Sequence, residues 1–241
     1  MSPLPGGELA NRPLHFIWIC DCSGSMSIDG KIQALNTAIR EAIPAMRDVA
    51  QDNANAEVLV RAVKFSDGAQ WHVATPTPVD SFNWTDLTTS GLTDMGKALS
   101  LVAEQLKMPP MTNRALPPVL VLISDGYPTD DFNSGLRNLM EQPWGKKAVR
   151  IAIAIGGDTD KEVLRKFIAH PELQPLEANN AETLVRFIRW ASTAVLQSAS
   201  SPSSQPRPST TTTGGETAAA VNVPVPSTPP PSSNPDEDDV W

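Results

Sequence analysis

An apolar run that ends in one carboxylate and two hydroxyls decides the fold: Phe16-Ile17-Trp18-Ile19-Cys20-Asp21-Cys22-Ser23-Gly24-Ser25-Met26. The run is short enough to be a buried strand, and Asp21 stands where that strand would end. Gly24 permits a tight turn, which can fold Ser23 and Ser25 back so that their oxygens converge with that of Asp21. The stretch therefore predicts a loop that holds a polar group at the end of a strand.

The oxygen donors in this loop favour a hard cation. Carboxylate and hydroxyl groups without imidazole or thiolate suit Mg²⁺, with Ca²⁺ or Mn²⁺ as alternatives, rather than Zn²⁺. One carboxylate and two hydroxyls form an incomplete coordination shell, so we expect further oxygens at the ends of other strands. The loop alone leaves another interpretation open, an ordinary turn whose side chains bond their own backbone or cap the next helix.

Two later segments supply further oxygens. Thr93 carries a hydroxyl where a helical pattern begins, and Asp125 follows the apolar run 119–123. Asp94, beside Thr93, is expected to stabilise the amino terminus of that helix rather than to bind metal. The predicted metal-binding residues are Asp21, Ser23, Ser25, Thr93 and Asp125.

With these five residues the chain resembles the von Willebrand factor A family, whose metal-ion-dependent adhesion site has the pattern Asp-x-Ser-x-Ser, then Thr, then Asp. The resemblance covers roughly residues 14 to 197. It implies that Ser23, Ser25 and Thr93 contact Mg²⁺ through their hydroxyls, while the two aspartates act largely through bound waters. It also implies that an acidic residue of a protein partner fills the sixth position.

Helical and strand patterns alternate along the chain. Apolar spacing predicts a helix over residues 31–43, which Pro44 should end or kink. A hairpin turn at Asp67-Gly68 follows a strand, and its second arm carries Pro76 and Pro78, which place that arm at a sheet edge. The alternation indicates an α/β fold.

Two continuous apolar runs, 118–123 and 149–155, are typical of strands that are covered on both faces. The sequence therefore predicts a doubly wound, mainly parallel sheet with one antiparallel edge strand. In such sheets, ligands bind beyond the carboxyl ends of the strands, where the strand order switches. Asp21 and Asp125 each follow a strand, so the predicted metal site lies where this architecture places ligands.

Composition limits the function classes. The 241 residues, 40% of them hydrophobic, allow one sizeable domain, and the formal net charge of −8 argues against a nucleic-acid ligand. No apolar run approaches the ~20 residues that cross a bilayer. The two cysteines, Cys20 and Cys22, are expected to be buried thiols on opposite faces of extended chain, not a disulfide. We expect a cytoplasmic protein.

We expect three regions: a flexible leader over residues 1–13, a domain over 14–197, and a disordered Ser/Thr/Pro-rich tail over 198–241. The tail contains four candidate phosphoacceptors: Thr210, Thr211, Thr212 and Thr213. A merely soluble linker is the alternative interpretation. Five of its last residues form a candidate interaction motif: Asp236, Glu237, Asp238, Asp239 and Trp241. The alternative is that this end is simply solvated and binds nothing. A further hypothesis is that this acidic end competes internally for the metal.

Within the family, the segments 122–130, 153–156 and 187–190 are similar to the bacterial tellurium-resistance TerY-type branch, as are Asp158 and Asp160. This similarity implies a stress-associated protein that works beside a Ser/Thr kinase and a PP2C-type phosphatase. Several such relatives carry a zinc ribbon, whereas this chain has no cysteine after position 22.

The favoured function is a non-catalytic, Mg²⁺-dependent protein-interaction module. A Mg²⁺-dependent phosphoesterase-type enzyme is the alternative, but none of the histidines, His15, His72 and His170, lies in a predicted site loop to act as general base. An adaptor of a metal chelatase or ATPase would share the fold and differ only in its partner.

Overall fold

The computed structural model describes residues 11–53, 56–157 and 159–200. Residues 1–10 of the predicted leader, Asp158 and residues 201–241 lie outside the described part of the chain. The predicted phosphoacceptors and the acidic-aromatic motif are therefore outside it as well.

Six strands form one sheet in the order β3-β2-β1-β4-β5-β6. Their bounds are β1 Arg12–Asp21, β2 Ala56–Ser66, β3 Gly68–Pro78, β4 Val119–Ser124, β5 Val149–Ile155 and β6 Leu176–Ala178. Every neighbouring pair is parallel except β2 and β3, which form an antiparallel hairpin at one edge. The predicted α/β sheet with one antiparallel edge strand is confirmed.

The strand order reverses at β1, which pairs with β2 on one side and with β4 on the other. Every residue of β4 and β5 is buried, as expected of parallel strands that are covered on both faces. Cys20 of β1 pairs with Ile123 of β4, so the next residues, Asp21 and Ser124, lie together at the carboxyl ends of these two strands. This register brings the two predicted metal loops to one place.

Helices flank the sheet. Their bounds are α1 Lys31–Gln51, α2 Met95–Ala103, α3 Phe132–Glu141, α4 Lys161–Ile168, α5 Ala181–Trp190 and α6 Leu196–Ser200, with the π-helical turn Ala191–Val195 joining α5 to α6. α1 packs against α5, and α2 packs against α3. Within the described residues, none of these helices has the length and hydropathy that crossing a membrane requires.

Of the two outcomes predicted for Pro44, an end or a kink, the end does not occur, because α1 continues to Gln51. Proline in a helix interior costs about 3 kcal/mol, since it removes a hydrogen bond and crowds the preceding turn. Contacts beyond the proline offset this cost: Met46 is fully buried. Arg47 donates hydrogen bonds to the carbonyls of Val79 and Phe82 at 3.1 and 2.7 Å.

Cys20 and Cys22 are both buried and free, which agrees with the prediction that they form no disulfide. Burial raises the pKa of the Cys22 thiol to about 12, and the neighbouring Asp21 adds to the increase. Both cysteines act as small core side chains.

The α2–α3 contact depends on two glycines. A Cβ added at Gly96 would lie 2.4 Å from the carbonyl oxygen of Asp131, and one added at Gly135 would lie 2.2 Å from that of Gly96. Backbone therefore meets backbone here, and the contact sets where the loop before α3 lies relative to the start of α2.

We expect Gly96→Ala and Gly135→Ala each to lower the free energy of unfolding by about 1–3 kcal/mol, because the new methyl group overlaps backbone that cannot move aside. Urea unfolding measures the loss. Gly157→Ala is the matched control, since nothing lies within 4 Å of a Cβ added there. Equal stabilities for Gly135→Ala and Gly157→Ala would contradict the described packing.

Candidate metal centre

Asp21, the last residue of β1, is fully buried at the carboxyl end of this central strand. Its Oδ1 accepts a hydrogen bond from the backbone N–H of Ser23 at 2.8 Å. Its Oδ2 accepts one from the Ser124 hydroxyl, at the end of β4, at 2.5 Å. These two bonds fix the carboxylate in one orientation and join the ends of the two central strands.

The hydroxyls of the loop after β1 connect Asp21 to Asp125. Ser23 Oγ lies 3.0 Å from Ser25 Oγ, and Ser25 Oγ donates to Asp125 Oδ1 at 2.7 Å. A Cβ added at Gly126 would lie 3.8 Å from Thr93 Oγ1 and 3.9 Å from Ser25 Oγ, which places the Thr93 hydroxyl near the same cluster. The structure thus brings all five sequence-predicted residues together.

Thr93 is held by its backbone. Its N–H donates to Thr129 Oγ1 at 3.0 Å, and the Thr129 N–H donates to the Thr93 carbonyl at 2.9 Å. No group in the described part of the chain forms a hydrogen bond with Thr93 Oγ1. The backbone is therefore fixed, while the hydroxyl keeps its bonding capacity for another ligand.

Backbone hydrogen bonds tie the loop before Thr93 to the loop after β1. Gly24 N–H donates to the Gly91 carbonyl at 3.0 Å, and Ser90 N–H donates to the Cys22 carbonyl at 2.8 Å. Gly91 has φ +68°, and a Cβ there would lie 2.0 Å from Oδ2 of Asp67, so this position requires glycine. Asp67 also accepts a hydrogen bond from Leu92 N–H at 3.0 Å, which links the β2–β3 turn to the same loop.

Asp94 lies at the amino terminus of α2, as the sequence predicts, but its side chain forms no capping hydrogen bond there. Its side chain accepts hydrogen bonds from Gly68 N–H at 2.7 Å, from Lys97 Nζ at 2.6 Å and from the Thr129 hydroxyl at 3.3 Å. The Lys97 ammonium, which forms the strongest of these contacts, lowers the pKa of Asp94. Through these donors Asp94 also connects the loop before α2 to the β2–β3 turn and to the loop of Thr129.

Another aspartate caps α2. Asp130 accepts hydrogen bonds from the backbone N–H groups of Gly96 and Lys97, each at 2.8 Å. The next residue, Asp131, caps the following helix, α3, by accepting a hydrogen bond from Ser134 N–H. Asp130 can reach α2 because the glycine contact brings the two helices together.

Lys31 is a site residue that sequence reasoning missed. Its Nζ lies 2.9 Å from Asp125 Oδ2, and its side chain is 13% exposed. A lysine in the first turn of a helix opposes the helix dipole, and this unfavourable placement is the signal that could have identified it. With Lys31 protonated and both carboxylates ionised, Asp21, Asp125 and Lys31 carry one net negative charge, which a divalent cation would change to one net positive charge.

Burial raises the pKa of Asp21 to about 6. The hydrogen bonds from Ser124 and Ser23 lower the pKa, whereas the charge of Asp125 raises it further. A buried carboxylate of this kind is costly to ionise without a cation beside it.

The donor set fits a hard divalent cation. Two carboxylates and three hydroxyls supply only oxygen, which suits Mg²⁺, Mn²⁺ or Ca²⁺. Over residues 11–53, 56–157 and 159–200, no group of three or more His, Cys, Asp or Glu side chains is arranged to hold a metal ion. Metal binding at the carboxyl ends of the strands would therefore depend on the serine and threonine hydroxyls.

The model of the von Willebrand factor type A domain family matches residues 17–189. No curated protein matches the chain. The family-level prediction is thus supported, whereas none of the comparisons supports the TerY-type branch.

Solved structures share the fold. The ArnB paralog VWA2 from Sulfolobus acidocaldarius is 18% identical, with a TM-score of 0.56 over 74% of this chain and 45% of that one. A von Willebrand factor type A protein from Catenulispora acidiphila is 17% identical, with a TM-score of 0.55 over 76% and 42%. Proximal thread matrix protein 1 from the mussel byssus, with a zinc-occupied MIDAS motif, is 17% identical, with a TM-score of 0.60 over 78% and 48%. The chain spans less than half the length of each.

We expect Asp21→Asn to become more stable relative to wild type as the pH rises, when both are measured in EDTA. The folded-state pKa of Asp21 is raised, so the stability contributed by its neutral carboxyl is present below pH 3.8 and is lost as the pH rises to about 6. Urea unfolding should show a relative change of about 2 kcal/mol between pH 4 and pH 7 in favour of the variant. Exposed Asp86→Asn is the control, and a pH-independent difference for Asp21→Asn would contradict the buried, ionised carboxylate.

We expect Lys31→Met to bind Mn²⁺ about three- to tenfold more tightly than wild type. The Lys31 ammonium occupies an oxygen of Asp125 and repels a second cation, by about 1 kcal/mol at this partly buried position. Titration calorimetry with the metal alone measures the change, and Lys97→Met, which removes the cation on Asp94, is the control. Weaker metal binding by Lys31→Met would mean that the lysine mainly orients Asp125.

Proposed function

Because the chain belongs to the von Willebrand factor type A family, we propose that it is a protein-interaction module dependent on a divalent cation. The family commonly mediates metal-dependent protein interactions. In this proposal the cation is held by five residues beyond the carboxyl ends of the strands: Asp21, Ser23, Ser25, Thr93 and Asp125.

One observation carries the proposal, the hydrogen bond of 2.7 Å from Ser25 Oγ to Asp125 Oδ1. It joins side chains from the loops after β1 and β4, at the point where the strand order reverses. Open α/β sheets bind their ligands at this point. Together with the bond from Ser124 to Asp21, it supports a preorganised oxygen cluster between the two strand ends.

The hydroxyl and carboxylate side chains have different roles in the proposed site. Ser23, Ser25 and Thr93 contact the cation through their hydroxyls, while Asp21 and Asp125 surround it and balance its charge. The bound cation supplies a positive centre that an acidic side chain of a partner can reach. Mg²⁺ is proposed first because the donors are all oxygen, and zinc belongs in the test because the mussel protein carries it in this motif.

The alternative of a Mg²⁺-dependent phosphoesterase has no observation in its favour. His15 precedes Asp21 by six residues on the same strand, about 20 Å at the usual rise per residue. Burial lowers the pKa of His15 to about 4, and the nearby Arg61 adds to this effect. His15 is therefore too far from the cluster to act there as a general base.

The cellular setting stays a prediction. Cytoplasmic location rests on the composition of the sequence. A role in tellurium resistance or stress response, and partnership with a Ser/Thr kinase and a PP2C-type phosphatase, rest on sequence similarity alone. An adaptor of a metal chelatase or ATPase would use the same metal site and remains the alternative partner class.

Thermal unfolding with Mg²⁺, Mn²⁺, Ca²⁺ or Zn²⁺ added tests the proposed site. At ten times the Kd, a cation that binds only the folded state should add about 1.4 kcal/mol of stability and raise the Tm by a few degrees. Ser25→Ala and Asp125→Asn should remove the increase, because each takes away part of the bridging pair.

The control for this experiment is Asp86→Asn, at an exposed carboxylate paired with Arg40 on the surface. It should keep the full metal-dependent increase in Tm. The same increase in wild type, Ser25→Ala and Asp125→Asn would show that any metal binds elsewhere, and the proposal would fail.

A further inference from the structure

Large apolar side chains are exposed around the candidate metal centre. The described part of the chain has four exposed large hydrophobic residues: Ile28 at 55%, Leu92 at 57%, Met108 at 55% and Tyr127 at 63%. Three of them lie in the loops that form the site. Ile28 follows Ser25 by three residues, Leu92 precedes Thr93, and Tyr127 follows Asp125 by two.

We call Ile28, Leu92 and Tyr127 the apolar rim. The loops that carry Ile28 and Leu92 are joined by the bond from Gly24 to Gly91, and the loop of Tyr127 approaches both through Gly126. Single exposed hydrophobic residues are common on protein surfaces. Three of them on loops that meet at one polar centre, out of four in the described part of the chain, instead favour a binding surface.

The charges at the centre of the apolar rim favour an anionic ligand. With a divalent cation in place, Asp21, Asp125, Lys31 and the cation carry one net positive charge. A ligand that satisfies the whole surface therefore needs a carboxylate for the centre and a large apolar side chain for the apolar rim, within a few residues of each other.

Residues 236–241 of this chain have that chemistry. Four consecutive acidic residues, Asp236 to Asp239, are followed by Val240 and Trp241. Trp241 is the one aromatic residue outside the described part of the chain, and it lies two positions after the last acidic residue. The sequence thus places acidic and aromatic groups together in one short segment.

We infer that the metal centre and the apolar rim bind the segment 236–241 of this same protein, with an acidic side chain at the cation and Trp241 on the apolar rim. The inference rests on the proposed function, since it requires a bound cation. An external partner then has to displace this segment, and it has to offer the same pairing of an acidic and a large apolar side chain.

The segment can reach the site within one molecule. α6 ends at Ser200, whose hydroxyl accepts a hydrogen bond from Asn53. Asn53 lies just before β2, near the amino ends of the strands, whereas the metal centre lies at their carboxyl ends. β1, with its 10 residues, is about 33 Å long, which approximates the distance to cover. The 35 residues 201–235 can span up to ~115 Å, so chain length permits the contact.

A fluorescent peptide of residues 230–241 tests the inference. The receptor is the full chain in which its own segment is neutralised by Asp236→Asn, Glu237→Gln, Asp238→Asn, Asp239→Asn and Trp241→Ala. We expect the peptide to bind this receptor in Mg²⁺ and to be released by EDTA. It should bind wild type at least fivefold more weakly, because the native segment competes.

Substitutions in the apolar rim provide the specific test. In the neutralised receptor, Leu92→Ser and Tyr127→Ser should each weaken the peptide at least fivefold, whereas Met108→Ser should not. Met108 is as exposed as the members of the apolar rim but follows the carboxyl end of α2, whereas the metal-site residue Thr93 precedes the amino end of that helix.

Mn²⁺ titration of the same proteins separates this inference from the proposed function. Unchanged Mn²⁺ affinity with no peptide binding, or peptide binding that is insensitive to Leu92→Ser and Tyr127→Ser, would overturn the inference and leave the metal site intact. Absence of Mn²⁺ binding in both wild type and the neutralised receptor would instead count against the proposed function.

Discussion

A buried carboxylate at the end of a central strand must be hydrogen-bonded or compensated, because water cannot reach it. Asp21 is in this position, and its partners are the Ser23 N–H and the Ser124 hydroxyl. The bond to Ser124 requires β1 and β4 to be in register at their carboxyl ends, and it requires the chain after Asp21 to turn back at once. The parallel β1–β4 pairing and the shape of the first loop are thus coupled through one side chain.

The remaining loops are fixed to that first loop by backbone hydrogen bonds. Cys22 and Gly24 bond the segment before Thr93, while Asp94 connects the same segment to the hairpin turn at Gly68 and to Thr129. Loops that are bonded in this way lose little additional conformational freedom when a ligand binds. The candidate centre therefore combines a rigid backbone with polar side chains that still have bonding capacity.

Sequence patterns predicted the sheet and the five converging residues because both depend on local signals. Asp21 and Asp125 follow apolar runs, and such runs are typical of the central strands of an α/β fold. Contacts between distant segments could not be read in this way. The continuation of α1 past Pro44 depends on Arg47 and on its carbonyl partners, Val79 and Phe82.

The same limit explains the polar contacts that the sequence did not predict. Lys31 is 94 residues from Asp125, and Asp130 caps a helix 34 residues before it, so neither contact has a local pattern. The role of Asp94 likewise depends on the hairpin turn and on Thr129, both far from it in sequence.

The two edges of the sheet differ in length but share one property. β3 carries Pro76 and Pro78, which offer no backbone N–H, and β6 has three residues, Leu176–Ala178. Proline and very short strands are the devices by which β-proteins prevent a foreign strand from adding to an open edge. Addition of a foreign strand is thus disfavoured at β6 and at the carboxyl end of β3.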